Sequence, residues 1–304
     1  MKVICPTKNI FSSYLLSKFK KKFFCNFKYL NQYNFNKIAH NYEIIIIRFN
    51  RFISYKKNHK IRYILSPTTG EDHIDQKYFK DKKVKIFSLK NNIKFLNTVY
   101  ASSEFTILLI LMSLRKINLQ ISNFNNQYLI GSEIAEKKVG IIGLGRNGFK
   151  IAKIMKQFKA EVYYFDKKKK KNKYTNFLEL NSLLQSCKII VICIPLNFNK
   201  KFLNKSKLNK IKEGTLIVNT SRGGVLDENY AINLARKKKI FYTADVMVNE
   251  FSSTYLRKLT ELNKLPNILI TNHMGGLTQE SIFKTDKLIS DSFFKEINVK
   301  KNKK

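Results

Sequence analysis

The sequence predicts an α/β protein built from two doubly wound parallel-sheet units. Three observations carry this. Short apolar strands alternate with helical patterns along the chain, and Ile44-Ile45-Ile46-Ile47 is apolar at every position, as suits a parallel strand covered on both faces. A glycine-rich turn, Gly143 to Gly148, falls between a strand and a helix. The 304 residues suffice for two domains with real cores.

Strands are expected at Val3 to Cys5, Glu43 to Arg48, Arg62 to Leu65 and Val84 to Ser88, with helices at Phe11 to Lys20 and near Phe35 to Ala39. A long apolar helix follows from Ser102 to about Ile121, with Phe105, Leu108, Leu109, Met112 and Ile117 as buried candidates, and then a polar loop, Ser122 to Asn126. The second unit reads as strand (Val139 to Ile142), glycine turn, helix, and a strand ending at Asp166; Lys167 to Lys171 reads as a solvated surface turn. Beyond it come a helix near Phe177 to Gln185, strand Ile189 to Ile194, a short helix near Lys207 and strand Thr215 to Asn219. Helix Glu228 to Lys237, strands Ile240 to Asp245 and Ile268 to Thr271, and a final helix from Gln279 to Asn298 complete the pattern.

Each part of the glycine turn has its own task in holding a dinucleotide. Gly143 permits the tight turn, Gly145 lets backbone approach a pyrophosphate, and Gly148 lets helix and strand pack closely. The first helical turn, with Arg146 and Asn147, aims N–H groups and a positive dipole end at the phosphates. Asp166 stands 18 residues beyond Gly148, where a carboxylate can bind the adenosine ribose hydroxyls. Its charge repels a 2′-phosphate, which favours NAD over NADP, although the neighbouring Lys167 to Lys171 partly offsets this if it folds toward the ribose. Replacing Asp166 with Ala is then expected to weaken NAD use relative to NADP.

Arg222, Glu250 and His273 each follow an apolar strand. In an open parallel sheet the carboxyl ends of the strands are where ligands bind. A guanidinium there can clamp a substrate carboxylate and polarise an oxygen at C2. Histidine is the side chain that exchanges a proton near neutral pH, and a carboxylate beside it orients the ring. The set suits hydride transfer to or from a 2-hydroxy acid, with the cofactor supplying the hydride.

Composition restrains other readings. The net charge of +37 invites a nucleic-acid partner, but the lysines are spread along the chain and accompany abundant Asn, Ile and Phe, as an AT-rich genome produces at free surface positions. No basic helix with aromatic stacking platforms stands out, so no specific nucleic acid is expected. No unbroken apolar run approaches a membrane span, and the N-terminus reads as a first strand rather than a signal segment; a soluble cytoplasmic protein is expected. Cys5, Cys25, Cys187 and Cys193 form no CxxC pair, read as reduced thiols, and suggest no metal site.

With these motifs in place, the chain resembles the D-isomer-specific 2-hydroxyacid dehydrogenase family, which includes D-3-phosphoglycerate dehydrogenases. Gly140 to Gly148 is similar to the family's cofactor turn, and Val218 to Gly224 to its catalytic-arginine segment. Ala244-Asp245-Val246 with Glu250, and Thr271 to Gly276 around His273, are similar to its acidic and histidine segments. The resemblance implies a catalytic set of Arg222, Glu250 and His273. It implies cofactor contacts from Gly143, Gly145, Arg146, Asn147, Gly148, Asp166, Pro195, Thr220 and Asp245, the last toward the nicotinamide carboxamide. Ser66-Pro67-Thr68-Thr69-Gly70 resembles the loop that holds the substrate carboxylate, so Thr68, Thr69 and Gly70 join Arg222 as substrate contacts.

The implied organisation is a discontinuous, flavodoxin-like substrate domain (1–100 and 280–304) and a Rossmann-like NAD domain (101–279). The implied partners are a small 2-hydroxy or 2-oxo acid and a second copy of the chain, paired through the helix from Ser102. The length suggests a form without an added regulatory domain. Several positions depart from the family pattern: Phe251 and Asn272 replace common prolines, Asn197 to Lys200 lacks a threonine-rich turn, and Phe124 stands where a tryptophan is usual. A second reading of the same residues, an NAD(H)-sensing corepressor-like protein without significant turnover, needs no complete catalytic set.

Overall fold

The computed structural model describes residues 1–54, 56, 58–81, 83–122, 129–197 and 199–301. Phe124, most of the Ser122 to Asn126 loop, and Phe198 within Asn197 to Lys200 lie outside them. The chain forms two compact units: Met1–Val99 with Leu277–Lys304, and Tyr100–Gly276.

The first unit holds a five-stranded sheet of β1 (Lys2–Cys5), β2 (Phe24–Phe27), β3 (Ile44–Ile46), β4 (Tyr63–Ser66) and β5 (Lys85–Ser88). The order is β2-β1-β3-β4-β5 and every pair is parallel, the flavodoxin-like arrangement. Helices α1 (Ser13–Lys20), α2 (Gln32–Ile38), α3 (Gln76–Asp81) and α4 (Ile93–Leu96) accompany these strands. Ser12 caps α1 by accepting the Leu15 N–H, and Asn31 caps α2 by accepting that of Asn34. One cluster joins Val3, Leu15, Phe19, Ile44 and Leu65 to Phe293 and Ile297 of the C-terminal helix; another joins Ile4, Ile45, Ile47 and Ile64 to Phe35 and Phe79. The four-residue β2 was not anticipated. It is an edge strand with its side chains exposed or half-buried, so it lacks a continuous apolar signature.

The second unit begins with α5 (Ala101–Leu114) and α6 (Ile117–Ser122). The single long helix expected here is two, because Lys116 turns into the left-handed region at φ 52°. Leu109 is buried as expected, but Leu108 is 48% exposed and Phe105, Met112 and Ile117 are half-buried. Ile93–Leu114, taken as one stretch, contains an 18-residue window of mean hydropathy 1.5 and is, by length and composition only, long and apolar enough to cross a membrane. Lys94, Asn97 and Ser102-Ser103-Glu104 interrupt it, so it contains no unbroken apolar run of that length. Here the stretch is divided between α4 and α5, and Ile107 and Ile110 of α5 join the core of the second unit.

The sheet of this unit has seven parallel strands: β6 (Lys138–Ile142), β7 (Glu161–Phe165), β8 (Asn176–Phe177), β9 (Ile189–Ile192), β10 (Thr215–Asn219), β11 (Ile240–Ala244) and β12 (Ile268–Ile270). Their order, β12-β11-β10-β9-β6-β7-β8, is the Rossmann order with one added strand, and it reverses direction between β6 and β9. Helices α7 (Arg146–Gln157), α8 (Leu180–Ser186), α9 (Lys205–Leu208), α10 (Glu228–Arg236) and α11 (Tyr255–Asn263) belong to this unit, and α12 (Gln279–Lys301) returns to the first. On α7, Ile151, Ala152 and Met155 are buried, whereas Phe149 is exposed and packs edge-on against Tyr174. Phe177 belongs to β8 rather than to a helix, and α11 was not foreseen.

Candidate active site

Every strand end that the sequence singled out in the second unit lies at the carboxyl edge of one parallel sheet. The glycine turn follows β6, Asp166 follows β7 and Pro195 follows β9; Thr220 and Arg222 follow β10, Asp245 and Glu250 follow β11, and His273 follows β12. Parallel strands force this convergence, and the reversal between β6 and β9 opens the crevice beside it.

The turn is built to leave its backbone accessible. Gly143 has φ 95°, which an L side chain rarely adopts. A Cβ on Gly148 would sit 2.1 Å from the Gly143 carbonyl oxygen, so only glycine lets helix and turn meet. A Cβ on Gly145 would meet no protein atom within 4 Å, so packing does not demand glycine there; close approach by a ligand does. Helix α7 starts at Gly145 without a side-chain cap, as do α4, α5, α8 and α11, so no capping side chain takes up its first N–H groups. Asn147 Oδ1 is buried without a hydrogen-bond partner among the described residues. An exposed glycine backbone, an uncapped helix start and an unmatched polar atom fit a dinucleotide pyrophosphate.

Asp166 stands directly after β7 with one carboxylate oxygen already engaged. Its Oδ2 accepts the Leu144 N–H at 2.9 Å and the Lys170 Nζ at 2.9 Å. Burial opposes ionisation of this carboxyl, but those hydrogen bonds and the Lys170 charge outweigh it and hold the pKa below the ordinary value. Lys167 to Lys171 is therefore not a freely solvated turn: Lys170 folds back onto the acidic residue.

At the other end of the crevice, His273 Nδ1 lies 2.7 Å from Glu250 Oε2, with both side chains about five-sixths buried. Glu250 Oε1 accepts the Met247 N–H at 2.9 Å, which fixes the carboxylate from its second oxygen. His273 has φ 48°, an arrangement costing about 1–2 kcal/mol for an L residue. Its own N–H, donated to the Asp245 carbonyl at 2.9 Å, helps hold it there. The Asp245 carboxylate accepts the Thr271 hydroxyl and the N–H groups of Met274 and Gly275 at 2.7–2.8 Å. Burial nonetheless raises its pKa above the usual carboxylate value. A Cβ on Gly275 would lie 2.9 Å from Asp245 Oδ2 and 3.0 Å from Phe105, so this segment too depends on glycine.

Arg222 is half-buried, and its Nη1 donates to the Ser221 carbonyl at 2.7 Å. Its backbone is held by Asn219, a fully buried residue whose Nδ2 donates to the Arg222 carbonyl at 2.9 Å and whose Oδ1 accepts both the N–H and the hydroxyl of Ser221. Thr220 Oγ1 lies 2.7 Å from Thr106 Oγ1 of α5. Sequence reading missed Asn219. It also missed buried Glu228, whose Oε2 accepts the Val248 N–H at 2.7 Å and so braces the loop that carries Glu250. Asn219 had a signal, a polar residue closing an apolar strand; Glu228 read only as the first turn of a helix.

In the first unit, Thr68, Thr69 and Gly70 lie in the loop after β4. The Thr68 hydroxyl donates to the Gly70 carbonyl at 2.8 Å and lies 2.8 Å from Ser66 Oγ, which in turn lies 2.9 Å from Nε2 of buried His73. Among the described residues no group of three or more His, Cys, Asp or Glu side chains is arranged to hold a metal ion.

The fold and the site define a dinucleotide-binding α/β protein with a histidine–carboxylate pair at the sheet's carboxyl edge. A family model for the NAD-binding domain of D-isomer specific 2-hydroxyacid dehydrogenases matches residues 107–275, more than half of the chain. The chain belongs to that family. It is 28% identical over 200 residues to D-lactate dehydrogenase kk1H of Curvularia clavata, covering 60% of this chain and 58% of that protein. It is also 28% identical over 255 residues to a hydroxypyruvate reductase of Thermotoga maritima, covering 80% and 79%. The chain thus spans under two-thirds of the first relative's length. Among solved structures, D-lactate dehydrogenase from Aquifex aeolicus, crystallised with NAD and lactic acid, superposes with a TM-score of 0.82 at 18% identity, covering 98% of this chain and 96% of that one; this likeness concerns the fold.

Proposed function

We propose that the protein is an NAD-dependent oxidoreductase acting on the CH–OH group of a D-2-hydroxy acid, or on the corresponding 2-oxo acid. The observation that carries this is the 2.7 Å pair of His273 and Glu250 on the sheet edge that also bears the glycine turn. NAD, when bound, supplies the hydride chemistry. The glycine turn, Arg146 and Asn147 hold its pyrophosphate, and Asp245 and Thr220 serve its nicotinamide end. Arg222 grips the substrate carboxylate and polarises the C2 oxygen with its fork of donors. His273, anchored through Nδ1, presents Nε2 to give or take the hydroxyl proton. Thr69 and Gly70 of the loop after β4 are proposed as further donors to the carboxylate, with Thr68, whose N–H and hydroxyl are bonded to the Ser66 and Gly70 carbonyls, shaping that loop.

The preferred acid is proposed to be of the phosphoglycerate or short-chain hydroxy acid type. The protein is further proposed to act as a cytoplasmic homodimer, using the α5 face that leaves Leu108 exposed. The test is NADH oxidation against a panel of 2-oxo acids, with His273→Ala as the control. Turnover that depends on His273 supports the reading. Tight NADH binding with no turnover on any acid replaces it with a sensor that reads NADH without reaction.

A further inference from the structure

We propose that Lys170 sets the cofactor preference of this chain, admitting a dinucleotide phosphorylated on its adenosine ribose alongside NAD. The inference rests on the dinucleotide reading of the glycine turn and extends it to the second ligand class.

Three residues close a ring at the end of β7. The Leu144 N–H donates to Asp166 Oδ2, Lys170 Nζ donates to the same oxygen, and Lys170 Nζ also donates to the Leu144 carbonyl at 2.7 Å. The ammonium is not there by the chance swing of a long side chain. The Lys170 backbone is bonded twice to one hydroxyl: its N–H donates to Tyr164 Oη at 2.6 Å, and Tyr164 Oη donates to its carbonyl at 2.9 Å. Tyr164 belongs to β7, is 2% exposed, and packs edge-on against Phe177. A core tyrosine thus fixes where the lysine run returns to the sheet.

This arrangement changes what the acidic residue can select. An unpaired carboxylate at this place favours NAD for two reasons: it accepts from the ribose hydroxyls, and it repels a 2′-phosphate. Here one of its oxygens already accepts two hydrogen bonds, and an ammonium 2.9 Å away offsets its charge. An ammonium has three donors. Two of those on Lys170 serve Leu144 and Asp166, which leaves one for a phosphate oxygen. Lys167, Lys168, Lys169 and Lys171 are all exposed around it and add attraction of the same sign. The Lys170 side chain is 43% exposed, so its effect is that of a partly screened charge, felt as a change of about tenfold in affinity.

The test is fluorescence titration of the full chain with NADH and with NADPH, which needs no turnover. Wild type is expected to bind NADPH within about tenfold of NADH. Lys170→Met, which keeps most of the aliphatic stem and every backbone bond to Tyr164, is expected to raise the ratio of the NADPH to the NADH dissociation constant about tenfold. Lys170→Arg should keep the wild-type ratio, and Lys169→Met should change it less than twofold. An unchanged ratio in Lys170→Met overturns the proposal, as does an equal shift in Lys169→Met, since the effect then belongs to bulk charge. Failure of wild type to bind either dinucleotide overturns the dinucleotide reading and this one together.

Discussion

The Glu250 carboxylate is engaged on both oxygens, one by His273 Nδ1 at 2.7 Å and the other by the Met247 N–H at 2.9 Å. It therefore orients the imidazole through Nδ1 and is itself oriented by its own loop, and Nε2 is the ring atom proposed for proton transfer. Replacing His273 with Asn removes the proton carrier and is expected to lower kcat by about 10²–10⁴-fold, while NADH affinity stays within twofold. Glu250→Gln keeps the shape but loses the charge, and should lower kcat by about 10²-fold. Stopped-flow NADH oxidation with a separate fluorescence titration checks both. A His273 variant turning over within fivefold of wild type would remove the histidine from the reaction.

Arg48 and Asp286 form a buried pair in the first unit, 2.7 Å apart, with side chains 4% and 0% exposed. Asp286 also accepts the Ser12 N–H, and Arg48 also donates to the Pro67 carbonyl at 3.0 Å, just before Thr68. Burial lowers the pKa of the guanidinium and raises that of the carboxyl, so each depends on the other for its charge. Arg48→Met leaves Asp286 buried and unpaired, and should destabilise the unit by about 3–5 kcal/mol. The double variant Arg48→Met/Asp286→Leu should recover most of that loss, because an apolar pair carries no desolvation penalty. Urea unfolding of the three proteins gives the answer; a double variant no better than the single one argues against the desolvation account.

His73 sits at the start of a directed chain of hydrogen bonds. The Thr68 hydroxyl spends its proton on the Gly70 carbonyl, so it must accept from Ser66 Oγ, and Ser66 must then accept from His73 Nε2. Nε2 is thus the protonated nitrogen, and the ring pins the loop proposed to hold the substrate carboxylate. His73→Ala should raise KM for the 2-oxo acid about tenfold, with the NADH dissociation constant unchanged. Amide exchange across Ser66–Gly70 should quicken in parallel. His73→Gln, which can place a donor at the same point, should restore part of both. A KM unmoved by His73→Ala would show that the loop holds its shape without the ring.

Much of this was legible in the chain itself. Parallel strands covered on both faces read as apolar runs, so β3, β9 and β10 announce themselves, and the residues closing β10, β11 and β12 mark the sheet edge where ligands bind. The edge strand β2, exposed or half-buried along its length, carries no such run. The nine-residue α11 buries Tyr255, Leu259 and Leu262 at helical spacing, so its period was present in the sequence although no helix was expected there. The sequence offered a lysine run able to fold toward Asp166 but not which lysine does so, because the group that folds Lys170 back is a tyrosine hydroxyl in the preceding strand. Glu228 acts through a backbone N–H of a neighbouring loop, which leaves no mark on composition or spacing, whereas Asn219 was marked only as a polar residue closing an apolar strand.

The four free cysteines give a pH dependence with a definite sign. Burial pushes the Cys5 and Cys193 thiols up to about 12, and the Cys25 and Cys187 thiols up to about 11. At pH 8 the thiolate fraction of each in the folded chain is then about one in a thousand or less, whereas an unfolded cysteine, with a pKa near 8.5, is substantially ionised. Ellman's reagent at pH 8 is expected to react slowly with the native protein and to titrate four thiols promptly once it is denatured. The same difference acts on stability. Between about pH 8.5 and the folded values the native state holds protons that the unfolded chain releases, so the thiols' contribution is complete below that window and lost as pH rises through it. The melting temperature should therefore fall from about pH 9 upward, and Cys187→Ser or Cys5→Ser should flatten that fall, since a serine hydroxyl does not ionise there. Rapid modification of the native protein at pH 8 would place a thiolate where burial should forbid one.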